Sequence, residues 1–489
     1  MKAKQNRNEK KHNSGRGGRK KLKKGKLEPL QIRQDAAGLD IGSDELFVAV
    51  PPEKDPEPVR RFRSFTADLH ALADWMERCG VRTVAMESTG VYWIPVFQIL
   101  EERGFEVCLV NAQHRRNVPG RKTDVSDCQW IQQVHSLGLL NASFRPAQQV
   151  CAVRSLLRHR EGLVQMASQQ VLLMQKALDQ MNLQLHHVLS DISGTSGAAM
   201  LDAIVAGERD TAKLAEMREP QVKASADTIA RALEGDYRAE HLFALEQSLT
   251  LSRFIQRQIG ECGEKIRKEL NGWESRIDPG DKPLGPAAKQ IRGGGLSRNE
   301  AHSIREQGYR ILGVDLTDVD GINVQFIQVF LSEVGPDLSS FRGASAFASW
   351  LKLCPNREIS GGKVLKSKTA RNGSRMAKAF RLAANSLLRS ESALGACFRR
   401  LRAKLGAPKA ITAMAHKIAR IVYHLLTSGE SFNPTVLLKQ QDKTTDLPRN
   451  TSPKGGRPAW LRCLCMRNHP TPRRSSLGAA TIGSGLRDS

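Results

Sequence analysis

From residue 36 the chain alternates short apolar runs with polar breaks. "AAGLDIG" is an apolar run, and Gly42-Ser43 then permits a turn. "ELFVAV" (45–50) reads as a second strand and "VRRFRSF" (59–65) as a third, with alternation along it. "TADLHALADWMERCG" follows with helical period, Thr66 as N-cap and Gly80 as stop. "VRTVAMES" (81–88) is a fourth, buried strand, "VYWIPVFQILEERG" a helix and "FEVCLVN" (105–111) a fifth strand. A basic loop then leads into a helix over 124–138. Three strands able to pair as a meander, then helix, strand, helix, strand, helix, predict an α/β layer with a mixed sheet.

Beyond 147 the period changes. Leu157, Val164, Val171, Leu178, Leu185 and Ile192 recur every seventh residue, and Val153, Ala167, Met174, Met181 and Val188 fill the other apolar register. Heptads of this kind predict one long coiled-coil helix over 150–192, and a second candidate runs over 238–271. The spacing leaves open whether these fold back on each other or pair with another subunit. "DPGDKPLGPAAKQIRGGGLSR" (278–298) reads as a Pro/Gly hinge, and 307–432 as a separate, mostly helical basic domain. Within it "LTDVDGINVQFIQVFLSEVG" resembles a helix-hairpin-helix, and two more helices are expected over 374–402 and 409–427. The domain map is therefore 1–30 a basic arm, 31–146 the α/β domain, 147–275 the helical region, 276–306 the hinge, 307–432 the C-terminal domain and 433–489 a disordered tail.

Charge narrows the partners. The 489 residues carry a formal net charge of +25, and residues 1–26 alone hold twelve Lys/Arg against one Glu. Such an arm cannot fold by itself and gains affinity from phosphates without reading sequence. A surplus of this size points to a polyanion. No apolar run is long enough to span a bilayer, so a membrane is not the expected partner and a cytoplasmic location is. The nine cysteines are scattered, which reads as reduced thiols. Cys463-x-Cys465 with His469 lacks a second ligand pair, and no metal is assigned there.

Four acids stand out. Asp40 closes the first strand and Glu87 the fourth, and the element order is that of the ribonuclease-H-like fold, whose first and fourth strands are neighbours. Asp124 and Asp127, three apart, share a helix face. Taken singly, each is a turn, strand-end or helix-start residue. Together at one sheet edge they would repel unless cations neutralised them, and a pair of Mg²⁺ ions suits oxygen ligands and a phosphodiester. Arg115, Arg116, Arg121 and Lys122 would then address the DNA backbone.

"GLDIG", "AMESTGVYWIPV" and "LVNAQHRRNVPGRKTDVSDCQWI" resemble the N-terminal domain of the DEDD transposases of insertion-sequence family 110, a domain similar to the Holliday-junction resolvase RuvC. "FIQVFLSEVGPDLSSFRGASAFASWLKLCPNREISGGKVLKSKTARNGSRMAKAFRLAA" resembles that family's C-terminal transposase domain. The resemblance implies metal-binding acids at Asp40, Glu87, Asp124 and Asp127 and a serine nucleophile at Ser360. It further implies donor and target DNA as substrates and a structured non-coding guide RNA. A homo-oligomer, dimer or tetramer, and a bacterial enzyme working on the nucleoid also follow from it. Gly361 and Gly362 would let the backbone approach phosphate, while Lys363, Lys366, Lys368 and Arg371 supply charge. A serine that attacks a phosphodiester keeps the bond energy, so strands can be rejoined without ATP. "RNGSRMAKAF" departs from the family's pattern there. Two other readings compete: a hydrolytic resolvase using the same acids with water, and a non-catalytic nucleic-acid-binding derivative.

Overall fold

The computed structural model describes residues 33–434 apart from 89, 111–123, 141, 288–295, 362 and 370–372. The basic arm and the tail from 435 onward lie outside the described residues. The chain divides into two compact units between Arg145 and Pro146.

The first unit is a five-stranded mixed sheet with helices on both faces. Its strands are β1 (Ala36–Ile41), β2 (Glu45–Ala49), β3 (Val59–Arg63), β4 (Thr83–Glu87) and β5 (Glu106–Val110), in the order β3-β2-β1-β4-β5. β1, β2 and β3 form the antiparallel meander, while β1, β4 and β5 run parallel. β1 is the central strand, buried along almost its whole length, and β3 is a half-exposed edge. The helices are α1 (Thr66–Arg78), α2 (Trp93–Glu102) and α3 (Asp124–Ser136). Leu39, Ile41, Val84 and Met86 pack with Leu72, Trp75, Met76 and Leu100 of α1 and α2, forming the main core on one face. Thr66 is the first helical residue of α1 rather than its cap; Phe65 takes that position without a side-chain bond. Gly80, at φ +68, ends the helix as expected.

The second unit opens with α4 (Gln148–Gln180). The heptad pattern runs on to 192, but the helix stops at Gln180, and Asn182 turns the chain at φ +58. Leu185, Leu189 and Ile192 are buried all the same, among α5 (Leu185–Val188), α6 (Thr195–Val205), α7 (Thr211–Glu216) and α8 (Ala226–Ala232). The apolar spacing continues through the turn because these positions are buried in the same cluster as Met174 and Leu178 at the end of α4. α9 (Ala239–Asn271) returns antiparallel to α4 within the same chain. Met174 and Leu178 share a cluster with Leu245 and Leu249 at one end, and Ala167 meets Ile255 and Ile259 midway. Near the other end Cys262 Sγ donates to the Leu156 carbonyl at 3.3 Å.

α10 (Arg298–Leu312) starts on a capping box made by Ser297 and Glu300. Of the described residues before it, Arg276 donates to the carbonyls of Pro336 and Leu426, and Gly285 accepts from Arg305. α11 (Val324–Glu333), α12 (Ala344–Trp350), α13 (Arg375–Ser386), α14 (Ala393–Leu405) and α15 (Ala407–Ser428) complete the helices. The stretch expected as one helix over 374–402 is two, broken by the turn that Ser390 and Ser392 hold before α14. Phe347 sits at the centre of this core, in ring contact with Phe330, Phe341, Phe380 and Tyr423. A β-hairpin of β6 (Pro355–Ser360) and β7 (Lys363–Thr369) interrupts the helices.

Candidate active site

Leu39 of β1 and Met86 of β4 are register partners on adjacent parallel strands. Asp40 and Glu87 follow them directly, so the two carboxylates stand level and leave the sheet on the same face. Both are half-buried, as is Asp127.

α3 covers that face. A Cβ on Gly38 would lie 2.3 Å from the Gln132 nitrogen and 2.5 Å from the Cys128 carbonyl oxygen, so only glycine admits the helix at this depth. Gln132 Nε2 donates to the Ala36 carbonyl at 3.2 Å, and His135 Nε2 meets Thr83 Oγ1 at 2.9 Å. Cys128, Ile131, Gln132 and His135 thus form the inward stripe, and the start of α3 lies over the C-terminal ends of β1 and β4. Asp127 falls one turn before Ile131, at that start. Asp124 is the first residue of α3, and its side chain lies outside the described residues.

Electrostatics agree with this placement. Burial pushes the Cys128 thiol up to about 12, and the charge of Asp40, with a further contribution from Asp127, raises it as well. An acid from β1 and an acid from α3 therefore act on one buried atom. His135 is held below its ordinary value, first by burial and then by Arg33, which keeps it a neutral partner of Thr83. Carboxylate oxygens at the positive end of a helix form a hard donor set, which fits a divalent cation such as Mg²⁺. Among the described residues no three His, Cys, Asp or Glu side chains converge as a metal-holding group.

Ser360 is in the second unit, exposed at the tip of the β6–β7 hairpin. It pairs with Lys363 of β7, and Gly361, the residue after it, takes φ +53, as a tight hairpin turn requires. Lys363 and Lys366 lie on β7 with side chains outside the described residues, and Lys368 is exposed. Arg115, Arg116, Arg121, Lys122 and Arg371 all lie outside the described residues. Sequence reasoning missed the strands around Ser360, although "REISGGKVLKSK" carries the signal of two short runs around a Gly-Gly pair. It also missed Gly38 and Cys128, which determine how closely α3 approaches.

A family model named for the DEDD transposases of IS110 and described as "Transposase" matches residues 37–183. A second, described as "Transposase IS116/IS110/IS902 family", matches residues 315–397. A relative from Sinorhizobium fredii (strain NBRC 101917 / NGR234), named "Putative transposase y4pF/y4sB", is 33% identical over 127 residues, covering 24% of this chain. The aligned part spans about a third (32%) of that relative's length. Among the described residues no helix is long and apolar enough to cross a membrane. The two matches follow one another in chain order, the first running from the first unit into the second and the second lying wholly within the second unit, and together with the relative they support an IS110-family transposase.

Proposed function

We propose that this protein is a DNA transposase that cuts and rejoins strands through Ser360, with Asp40, Glu87, Asp124 and Asp127 holding a pair of Mg²⁺ ions. The observation that carries the reading is the level pair of Asp40 and Glu87 beneath the acidic start of α3. The sheet order β3-β2-β1-β4-β5 supports a ribonuclease-H-like fold, in which acids from the first and fourth strands serve phosphodiester chemistry. When bound, the ions supply positive charge that stabilises the attacking and leaving oxygens of a phosphodiester.

The chain's own residues do the remainder. Ser360 Oγ gives up its proton and bonds to phosphorus; the P–O bond to the leaving strand breaks, and the leaving oxygen takes up a proton. Attack by a second strand's hydroxyl on the phosphoserine returns the serine and joins the strands, so no ATP is consumed. The hairpin tip exposes Ser360 to a large substrate, and lysines along β7 offset the phosphate charge. On this reading 31–146 is the carboxylate domain, 147–275 the helical region, 276–306 its connector and 307–432 the serine domain. Donor and target DNA are chosen by a structured non-coding RNA, and the working form is a homo-oligomer in the bacterial cytoplasm, on the nucleoid.

The test is recombination between donor and target plasmids carrying the native flanking non-coding DNA. Asp40→Asn and Ser360→Ala should each abolish joined product while the proteins stay folded. Cleavage that survives in Ser360→Ala but not in Asp40→Asn would make water the nucleophile and the protein a resolvase-like nuclease.

A further inference from the structure

The turn between β4 and α2 carries apolar side chains into solvent beside the carboxylates. Glu87 ends β4, and α2 begins at Trp93. Val91 is 65% exposed, Tyr92 49% and Ile94 37%, although the same helix buries Val96, Phe97 and Leu100. A single exposed apolar residue needs no explanation, but these neighbours form a patch at the edge of a site.

The patch is backed by a rigid clamp. Trp93 and Phe97 meet edge to face with ring centroids 5.7 Å apart, Phe97 buried in the main core and Trp93 packed against it. The Arg145 guanidinium lies 3.7 Å from the Phe97 centroid and 5.9 Å from that of Trp93, and its Nη1 donates to Glu101 at 2.9 Å. Tyr92 stands just outside this clamp. A Cβ on Gly90 would lie 3.4 Å from Cδ2 and Cε2 of the Tyr92 ring, so the ring leans back along the chain that leaves Glu87.

The tyrosine hydroxyls separate Tyr92 from the rest. Those of Tyr237, Tyr309 and Tyr423 donate to the carbonyls of Leu233, Lys282 and Phe341. Among the described residues the Tyr92 hydroxyl has no such bond, so no internal hydrogen bond accounts for a tyrosine at this point.

We propose that Tyr92 stacks on a nucleobase next to the phosphate engaged by Asp40 and Glu87, and so holds that phosphate in register with the carboxylates. The substrate class rests on the transposase reading; the stacking rests on the exposed, clamped ring. The chain from Glu87 to Tyr92 spans at most about 17 Å, which is within a few nucleotides along a strand. Every base has a π-face, so an aromatic platform serves any cut sequence. Joining a strand to a new partner requires base pairs at the cut to open, which frees a base for stacking. Val91 and Ile94 supply apolar surface on either side of the ring.

The experiment replaces each thymine near the cut in turn with 5-iododeoxyuridine. The DNA is mixed with the full-length protein, Mg²⁺ and RNA transcribed from the native flanking non-coding DNA. Ultraviolet light joins iodouracil to an aromatic ring stacked on it, and mass spectrometry of the digested protein locates the adduct. An adduct on Tyr92 is expected from a position beside the cut and not from distant ones. Cleavage by Tyr92→Phe, which keeps the ring, should stay within about twofold of wild type, whereas Tyr92→Ala should lose about ten- to a hundredfold. Thermal melts should be alike for all three, because the side chain is half exposed. An adduct without loss of cleavage in Tyr92→Ala, or a loss without an adduct, overturns the proposal. Loss in Tyr92→Phe equal to that in Tyr92→Ala does so too, since the ring would not be what matters. A loss without an adduct that comes with a changed oligomer mass makes the patch a protein contact instead. In each of these cases cleavage by the wild type leaves the transposase reading standing. No cleavage by the wild type would fail that reading, and the role of Tyr92 with it.

Discussion

Gly38 of β1 meets Gln132 of α3 so closely that a Cβ on the glycine would sit 2.3 Å from the Gln132 nitrogen. This contact sets the height of α3 above the sheet, and with it the separation of the α3 acids from Asp40 and Glu87. The neighbour is backbone, which cannot swing aside as a side chain could. Gly38→Ala should therefore push the helix outward, at a cost of about 1–3 kcal/mol in urea unfolding. Strand cleavage should fall by far more than that loss of stability explains, because the acids separate. Wild-type cleavage in Gly38→Ala would show that the spacing does not matter.

Gly361 supplies the positive φ of the hairpin tip next to Ser360. Gly361→Asn should keep the turn, since asparagine tolerates the left-handed region, whereas Gly361→Val should distort it at a cost of about 1–2 kcal/mol. Joined product should survive in the first variant and be lost in the second. Only the second should lower the melting temperature, by about a few degrees. Equal activity in both would remove the turn from the account.

Arg305 and Asp315 form an ion pair at 2.6 Å, with side chains only 3% and 6% exposed. Arg305 also donates to Thr317 Oγ1 and to the Gly285 carbonyl, tying the 285 segment to α10. Asp315→Asn leaves the guanidinium buried without its counter-charge and should cost about 3–5 kcal/mol. The double change Arg305→Met/Asp315→Leu should recover much of that loss. Urea unfolding curves of the three proteins measure both effects.

His416 of α15 is held down at about 4, first by burial and then by Arg420 and Lys417. Its folded value lies below its unfolded one, so its contribution to stability is complete above about pH 6.5. That contribution is lost as pH falls through 4, when the unfolded state gains a proton that the folded state resists. The wild type should lose on the order of 2 kcal/mol across that window from this residue. His416→Leu should show a flatter dependence between pH 6.5 and 4; an unchanged slope would contradict the assignment.

The sheet was legible because its signals are local. "ELFVAV", "TVAMES" and "EVCLV" are short apolar runs closed by turn residues, and their order alone predicted a mixed sheet. Asp40 and Glu87 were legible for the same reason, since both end such runs. The long helix was misread past Gln180 because a period of seven records which positions are buried, not against what. Leu185 and Ile192 lie past the turn, in a cluster that gathers α6, α7 and α8 together with the ends of α4 and α9. Ser360 was found through the family's motif, whereas its hairpin was not, because lysines mask the apolar alternation in "KVLKSKT". Gly38 could not be found from sequence at all: its role depends on a helix more than eighty positions away.

The most direct test of the central claim follows the oxygen. DNA carrying the cut site is cleaved by the Mg²⁺-loaded protein, together with RNA transcribed from the native flanking non-coding DNA, in water enriched in oxygen-18, with the protein then digested for mass spectrometry. The account predicts a DNA-linked peptide containing Ser360 and no heavy oxygen in the phosphate at the cleaved end while that link persists. Heavy oxygen in the phosphate, with no linked peptide, would show that water attacks directly and that Ser360 is not the nucleophile.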